Sequence, residues 1–199
     1  MKSMLLAILI ISFSVSITAQ TRSRNAQRAI ELNDLALGLS ATNPDSTVAL
    51  LKEAIRLDST CAIAYWNLAG QYGHKAQYDD MTKTLEKVLV LRPNSTETLT
   101  LLGLLADRRG EGRKARDLFQ RAMTLLDARL LKNPHDSTNT LIGRAVLLIL
   151  SDHQQEGHSE LNRLLPHLPP HDPRQAFESI TKMQLSRSLL EGESISRAP

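Results

Sequence analysis

Histidines gather in the last third of the chain, where they raise the question of a metal site. Imidazole nitrogens and carboxylate oxygens are ligands for zinc and related ions. The candidate ligands are His135, His153, His158, His167 and His171, with Asp152, Glu156 and Asp172. However, His153 and His158 are five residues apart across Gly157, so they do not share one helical face as i, i+4 ligands do. We interpret the histidines as solvated loop residues and expect no cofactor. The alternative is a metal- or small-ligand-handling periplasmic protein.

Motifs of other enzyme classes are missing from the sequence. It has no phosphate-binding glycine loop, no HExxH zinc motif, no cysteine pair and no nucleophile elbow. Cys61 is the only cysteine, so no disulfide forms within the chain, and we interpret it as a small apolar residue. The sequence therefore predicts a protein that is not an enzyme.

The overall charge gives no reason to expect a nucleic-acid partner. The formal net charge is +3, and Lys2 contributes one of these charges. The densest basic stretch, residues 108–116, also contains Glu111 and covers a predicted turn. We interpret it as a solvated turn, with a patch for an acidic partner as the alternative. We expect a protein or peptide partner instead.

The first residues have the order of a secretory signal peptide. Lys2 gives a positive start, and an uncharged apolar run follows from Met4 to Ile17. A short stretch that ends in the small residue Ala19 follows, as at a signal-peptidase cleavage site. We therefore predict a signal peptide over residues 1–19, cleaved before Gln20. A retained membrane anchor is the rival interpretation, but the run is shorter than the roughly 20 residues that a spanning helix needs. We expect a periplasmic or secreted protein with no membrane span after cleavage.

A repeat of 34 residues predicts the elements that position the remaining side chains. The pairs that share their apolar or small character are Leu68 and Leu102, Ala69 and Gly103, Tyr72 and Ala106, Met81 and Ala115, Leu85 and Phe119, Val88 and Ala122, and Leu91 and Leu125. Most charged positions between them do not recur, which indicates a packing repeat. Each unit is predicted to be a helical hairpin, with Gly110 ending a first helix and Pro93 following a second one.

The period and the residue types resemble those of the tetratricopeptide repeat family. One copy of the family pattern reads Tyr65, Leu68-Ala69, Tyr72, Met81, Leu85, Val88 and Pro93. Together with the signal peptide, this resembles an exported bacterial member of the family. The resemblance implies an all-α fold of tandem helical hairpins that form a short right-handed α-solenoid, because one hairpin cannot bury its apolar stripe alone.

The array is predicted to span residues 20–168. Its hairpins cover about 25–58, 61–92, 95–131 and 136–168, and the last is degenerate because Pro166 interrupts it. Residues 169–199 are predicted to form a C-terminal capping helix and tail. Asp172 would be the N-cap of this helix, and Gly192 would end it.

In the family, the first helix of each hairpin lines the concave side of the array, where partners bind. Carried over by position, the predicted groove residues are Asn33, Leu37, Ile63, Trp66, Gly70, His74, Thr100, Leu104, Asp107 and Arg108. Ile30 lies at the upstream end of the same face. Trp66 lies one position from the structural aromatic Tyr65, so it is either a groove anchor or part of the core. The Lys, Asn and Arg set that grips a peptide carboxylate in some family members is missing, which favours a mixed apolar groove.

The sequence thus predicts a non-enzymatic scaffold or adaptor in the bacterial cell envelope. It would bind a partner protein or peptide in the concave groove of the repeat array. Homo-oligomers formed through the apolar ends of the stack are a further interpretation.

Overall fold

The structure, a computed structural model, describes the backbone of residues 2–132, 138–151 and 153–164, and the side chains from residue 20 onward, except 138 and 139. The helices of this part are α1 (Lys2–Leu39), α2 (Pro44–Leu57), α3 (Ala62–His74), α4 (Tyr78–Leu91), α5 (Thr96–Arg108), α6 (Gly112–Lys132), α7 (Thr138–Leu150) and α8 (Gln154–Leu164). No strand occurs among the described residues. The prediction of an all-α fold built from helical hairpins is therefore confirmed.

The helices form two compact units, Met1–Pro93 and Asn94–Pro199. In the first unit, α1 packs against α2, α2 against α3 and α3 against α4, and α1 also contacts α3. In the second unit, α5 packs against α6, α6 against α7 and α7 against α8. Each unit therefore contains two hairpins. The right-handed superhelix stays a prediction, and the predicted capping helix and tail, residues 169–199, lie outside the described residues.

Burial follows the 34-residue repeat in α2, α4 and α6, the second helices of the first three hairpins. Leu51, Leu85 and Phe119 occupy one repeat position and are all buried. The next inward position, three residues later, holds Ala54, Val88 and Ala122, which are also buried. Small residues therefore alternate with large ones toward the core, which allows the helices to interlock at close range.

Gly103 allows α5 and α6 to approach closely. A Cβ atom built at this glycine would lie 2.4 Å from Cε1 of the Phe119 ring, so no larger residue fits without movement. Gly157 has the same role between α7 and α8, since its Cβ would lie 2.6 Å from the Ala145 carbonyl oxygen. The sequence predicted the first of these approaches but not the second.

Two helix ends share one backbone conformation, 34 residues apart. Gly110 follows α5 with a φ of 74°, and Ala76 follows α3 with a φ of 55°. In both turns, the next amide N–H returns to a carbonyl oxygen five residues earlier, at 2.9 Å. This is the hydrogen-bond pattern of a helix that ends through a left-handed residue. The expectation for Gly110 is confirmed.

The described helices include none that is long and apolar enough to cross a membrane. Helix α1 runs from Lys2 to Leu39 and thus includes the backbone of the predicted signal peptide. Cleavage after Ala19 stays a prediction.

Candidate functional site

The outward face of α1 and α3 carries exposed apolar side chains. Ile30 and Leu37 on α1 are 45% and 48% exposed, and Ile63 on α3 is 40% exposed. Ile30 and Leu37 are seven residues apart, so they lie on one side of the helix. Because Ile30 and Ile63 line the same cavity, these side chains belong to one surface of the first unit, which we call the α1/α3 face.

Asn33 and Asn67 connect the two helices of this face. The Asn67 Nδ2 group donates a hydrogen bond of 2.7 Å to Oδ1 of Asn33. Asn33 was predicted to line the groove, and the structure places it between the helices, only 2% exposed. Its own Nδ2 group donates to Asp34 at 3.2 Å. The amide of Asn33 is therefore fixed in place, whereas Oδ1 of Asn67 has no hydrogen-bond donor among the described residues.

The rest of the predicted α3 surface continues along the α1/α3 face. Gly70 and His74 are exposed, and Trp66 is half-buried. A Cβ atom at Gly70 would meet no atom within 4 Å, so the surface there is open. The Trp66 side chain is thus less buried than a core residue and less exposed than an open groove anchor.

The other predicted groove residues belong to the second unit, on α5. Thr100, Leu104 and Asp107 are half-buried, and Arg108 is exposed. The Thr100 hydroxyl donates to the Thr96 carbonyl oxygen at 2.8 Å, within its own helix. The participation of α5 in partner binding stays a prediction.

The histidine-rich region is only partly described. No group of three or more histidine, cysteine or acidic residues could hold a metal ion within the described ranges. His153 precedes α8, His158 lies within it, and both are exposed. Glu156 is also exposed on α8. The other candidate ligands fall outside the described residues: His135, Asp152, His167, His171 and Asp172.

A cavity of about 420 Å³ opens beside Ile30 and Ile63. The residues that line it are Ile30, Asp58, Thr60, Cys61, Ala62, Ile63, Leu91 and Arg92. The sequence analysis missed this site because Leu91 and Arg92 come from the end of a second helix, which the family pattern does not assign to the groove. An aliphatic residue followed by a cation is a common way to end a helix, so the sequence carries no distinctive signal for the cavity.

Charges of both signs surround the cavity. Oδ1 of Asp58 accepts hydrogen bonds from the Thr60 hydroxyl at 2.7 Å and the Thr60 N–H at 2.9 Å. These bonds, with a smaller contribution from Arg22, lower the pKa of Asp58 below its ordinary value, so it is ionised near neutral pH. Arg92 is exposed at the end of α4, and its guanidinium forms no ion pair with any residue that the structure describes.

No model of a known protein family matches the sequence, and no curated protein matches it. Solved structures do match. YrrB, described as a TPR protein with an unusual peptide-binding site, has a TM-score of 0.51 and 18% identity over 89% of this chain and 93% of its own. The second TPR of Spaghetti (RPAP3), bound to an HSP90 peptide, has a TM-score of 0.47 and 19% identity, and covers 51% of this chain and 95% of its own. MamA has a TM-score of 0.47 and 15% identity, with 81% of each chain covered.

Proposed function

We propose, from the tetratricopeptide repeat fold that this chain shares with YrrB, that it is a non-enzymatic scaffold that binds a protein or peptide partner. The partner contacts the α1/α3 face, where Ile30, Leu37 and Ile63 are exposed next to the Asn33–Asn67 pair. That exposed apolar surface beside a fixed polar pair is the observation that carries the proposal. Exposed apolar patches rimmed by polar groups are typical of interaction surfaces.

The chemistry of the face suits a peptide. Full burial of an aliphatic side chain is worth about 1.5–3 kcal/mol, and these three are about half exposed, so each can contribute about 1 kcal/mol. Association costs at least ~4 kcal/mol, so the partner must contact more than these three side chains. Oδ1 of Asn67 offers an acceptor for a peptide N–H group. YrrB, with the same fold, is described as having a peptide-binding site, which supports this choice of partner.

We also propose that the protein acts in the bacterial cell envelope. The support is the charged start, the uncharged run Met4–Ile17 and the small residues that end at Ala19. Fractionation of cells followed by N-terminal sequencing tests this proposal. The expected result is a periplasmic or secreted chain that begins at Gln20. A cytoplasmic chain that keeps Met1 would contradict it.

Partner capture tests the binding proposal. The mature chain is used as bait in an envelope extract, and the affinity for each retained protein is then measured with the Ile63→Ala and Trp66→Ala variants. Val90→Ala is the matched control, since Val90 is 77% exposed on α4, outside the α1/α3 face. We expect Ile63→Ala to weaken binding by about tenfold, as a loss of ~1–2 kcal/mol implies, and Val90→Ala to leave it unchanged. Equal affinities for all three variants would reject the proposal.

A further inference from the structure

We propose that the cavity beside Ile30 and Ile63 selects the partner segment. It takes one aliphatic side chain of that segment, while Arg92 pairs with an acidic side chain next to it. This inference rests on the proposed function and adds a sequence preference to it. The partner chemistry is therefore an aliphatic residue followed by aspartate or glutamate within a peptide chain.

The walls of the cavity explain the aliphatic part of this preference. Ile30, Ile63 and Leu91 line it, and the first two are among the most exposed large apolar side chains of the described residues. Water therefore covers apolar surface that a fitting side chain would displace, which is favourable in proportion to the area buried. The cavity of about 420 Å³ lies within the range of small-ligand pockets, so a leucine-sized group fits with room for the adjoining backbone.

The charges explain the acidic part. Arg92 lines the cavity and forms no ion pair with any described residue, so its guanidinium is free to bind a carboxylate. Asp58 is the one acid among the lining residues, and the Thr60 hydroxyl and N–H groups already stabilise its charge. The lining residues therefore carry one cation, Arg92, and one anion, Asp58.

Arg92 also follows the last turn of α4, where a cation interacts favourably with the helix dipole. This interaction accounts for a cation at the helix end, but it makes no use of the neighbouring cavity. The two roles differ in what they predict for binding. A purely structural Arg92 would leave the preference of the protein for acidic or basic peptides unchanged.

Fluorescently labelled ten-residue peptides test the inference. They share glycine and serine flanks and differ only in a central Leu-Glu, Leu-Lys or Ala-Glu pair. Binding is followed by fluorescence anisotropy at low ionic strength, since exposed charge pairs are screened by salt. We expect the Leu-Glu peptide to bind about tenfold more tightly than Ala-Glu, from the buried aliphatic group, and about threefold more tightly than Leu-Lys.

Two protein variants connect the preference to the cavity. Arg92→Glu should reverse the order of the Leu-Glu and Leu-Lys peptides. Ile30→Ser should weaken the Leu-Glu peptide by several-fold, whereas Leu35→Ser should not, since Leu35 is similarly exposed on α1 but does not line the cavity. Cys61, the only cysteine, lines the cavity and is buried, so its thiol should be labelled slowly, and a bound peptide should slow the labelling further.

The outcomes separate this inference from the proposed function. If the peptides bind but ignore the Ile30→Ser and Arg92→Glu changes, the cavity inference is overturned and the scaffold proposal stands. If no peptide of the set binds at millimolar concentration, the cavity inference is also overturned. In that case partner capture with Ile63→Ala and Val90→Ala still decides the scaffold proposal.

Discussion

At the scale of residues, the Nδ2 group of Asn67 is the side-chain donor that holds Asn33 between α1 and α3. Substitutions at the two asparagines test how much this hydrogen bond stabilises the fold. Asn67→Leu removes the donor and leaves the buried Oδ1 of Asn33 without a partner. We expect the free energy of unfolding to fall by about 1–3 kcal/mol. The double variant Asn33→Leu/Asn67→Leu should recover most of that loss, because no buried polar group remains unsatisfied. Denaturant unfolding followed by the fluorescence of Trp66, the only tryptophan, measures both variants.

If the double variant is less stable than Asn67→Leu, the two amides do not act as a pair. Peptide binding gives a second comparison. A loss of affinity in the double variant, despite recovered stability, would indicate that Asn67 contacts the partner directly.

Ala76 and Gly110 form a second pair at this scale, since both have positive φ at equivalent positions of the repeat. A residue with a Cβ atom loses about 1 kcal/mol in the left-handed region, and glycine does not. We therefore expect Ala76→Gly to stabilise the first unit by about 0.5–1 kcal/mol, and Gly110→Ala to cost about 1 kcal/mol. No atom lies within 4 Å of a Cβ at Gly110, so the cost is a backbone effect. Thermal unfolding that moves in the opposite direction for either change would refute this account.

Single residues also show what the sequence could and could not reveal. Gly110 was predicted correctly because glycine is the usual residue at such a helix end. Alanine carries no such signal, and only the position of Ala76, 34 residues before Gly110, identifies it as the equivalent helix end. Asn33 has the helical phase of a groove residue, but whether it is covered depends on the side chain that faces it from α3. That contact is tertiary, so the pattern of one helix cannot provide it.

At the scale of elements, the approach of α5 to α6 depends on Gly103 and Phe119. Gly103→Ala places a methyl group against a buried ring, and we expect a loss of about 1–3 kcal/mol. The preceding repeat has Ala69 and Leu85 at the equivalent positions, both buried. Gly103→Ala/Phe119→Leu recreates that natural pair and should regain most of the stability. The measurement is denaturant unfolding followed by circular dichroism.

Gly70→Ala is the matched control for this experiment. It adds the same methyl group to an exposed position in the interior of α3 where no atom lies within 4 Å. Alanine has the higher helix propensity, so we expect a gain of roughly 0.5–1 kcal/mol. Losses of equal size at Gly70 and Gly103 would show that packing against Phe119 is not the cause.

Arg144 connects three helices of the second unit. Its Nε contacts Asp127 of α6 at 3.0 Å, and its Nη1 contacts Glu160 of α8 at 2.5 Å. The Glu160 side chain is 9% exposed, so Arg144→Leu leaves a largely buried carboxylate unpaired. We expect a loss of about 2 kcal/mol in denaturant unfolding, and recovery when Glu160→Leu is added. A double variant no more stable than Arg144→Leu would contradict the assigned role of the pair.

The helices themselves were largely predictable, because the 34-residue repeat contains their apolar spacing. The contacts between α6, α7 and α8 were not, since Arg144 and Glu160 are ordinary surface residues in a single sequence. Gly157 was interpreted only as a break between two histidines. The structure shows that it brings α7 and α8 together, a role that glycine in a helix does not reveal by its type alone.

For the whole molecule, the fold explains the exposed apolar surface that we propose as the binding surface. The hairpins bury their small and aliphatic residues against neighbouring helices. On α1 and α3, the side chains of Ile30, Leu37 and Ile63 stay exposed. Sequence reasoning identified this face through Leu37 and Ile63. It did not identify the cavity, because the family pattern assigns the groove to first helices and leaves out Leu91 and Arg92 at the end of α4.

Site-specific photocrosslinking in living cells tests the central claim most directly. A photoreactive amino acid replaces Ile63 on the α1/α3 face or, as the control, Val90 on α4, and circular dichroism verifies that both variants fold. We predict that the variant at position 63 crosslinks to a defined partner and the variant at position 90 does not. Equal crosslinking at both positions, or none at position 63 in a folded chain, would contradict the account.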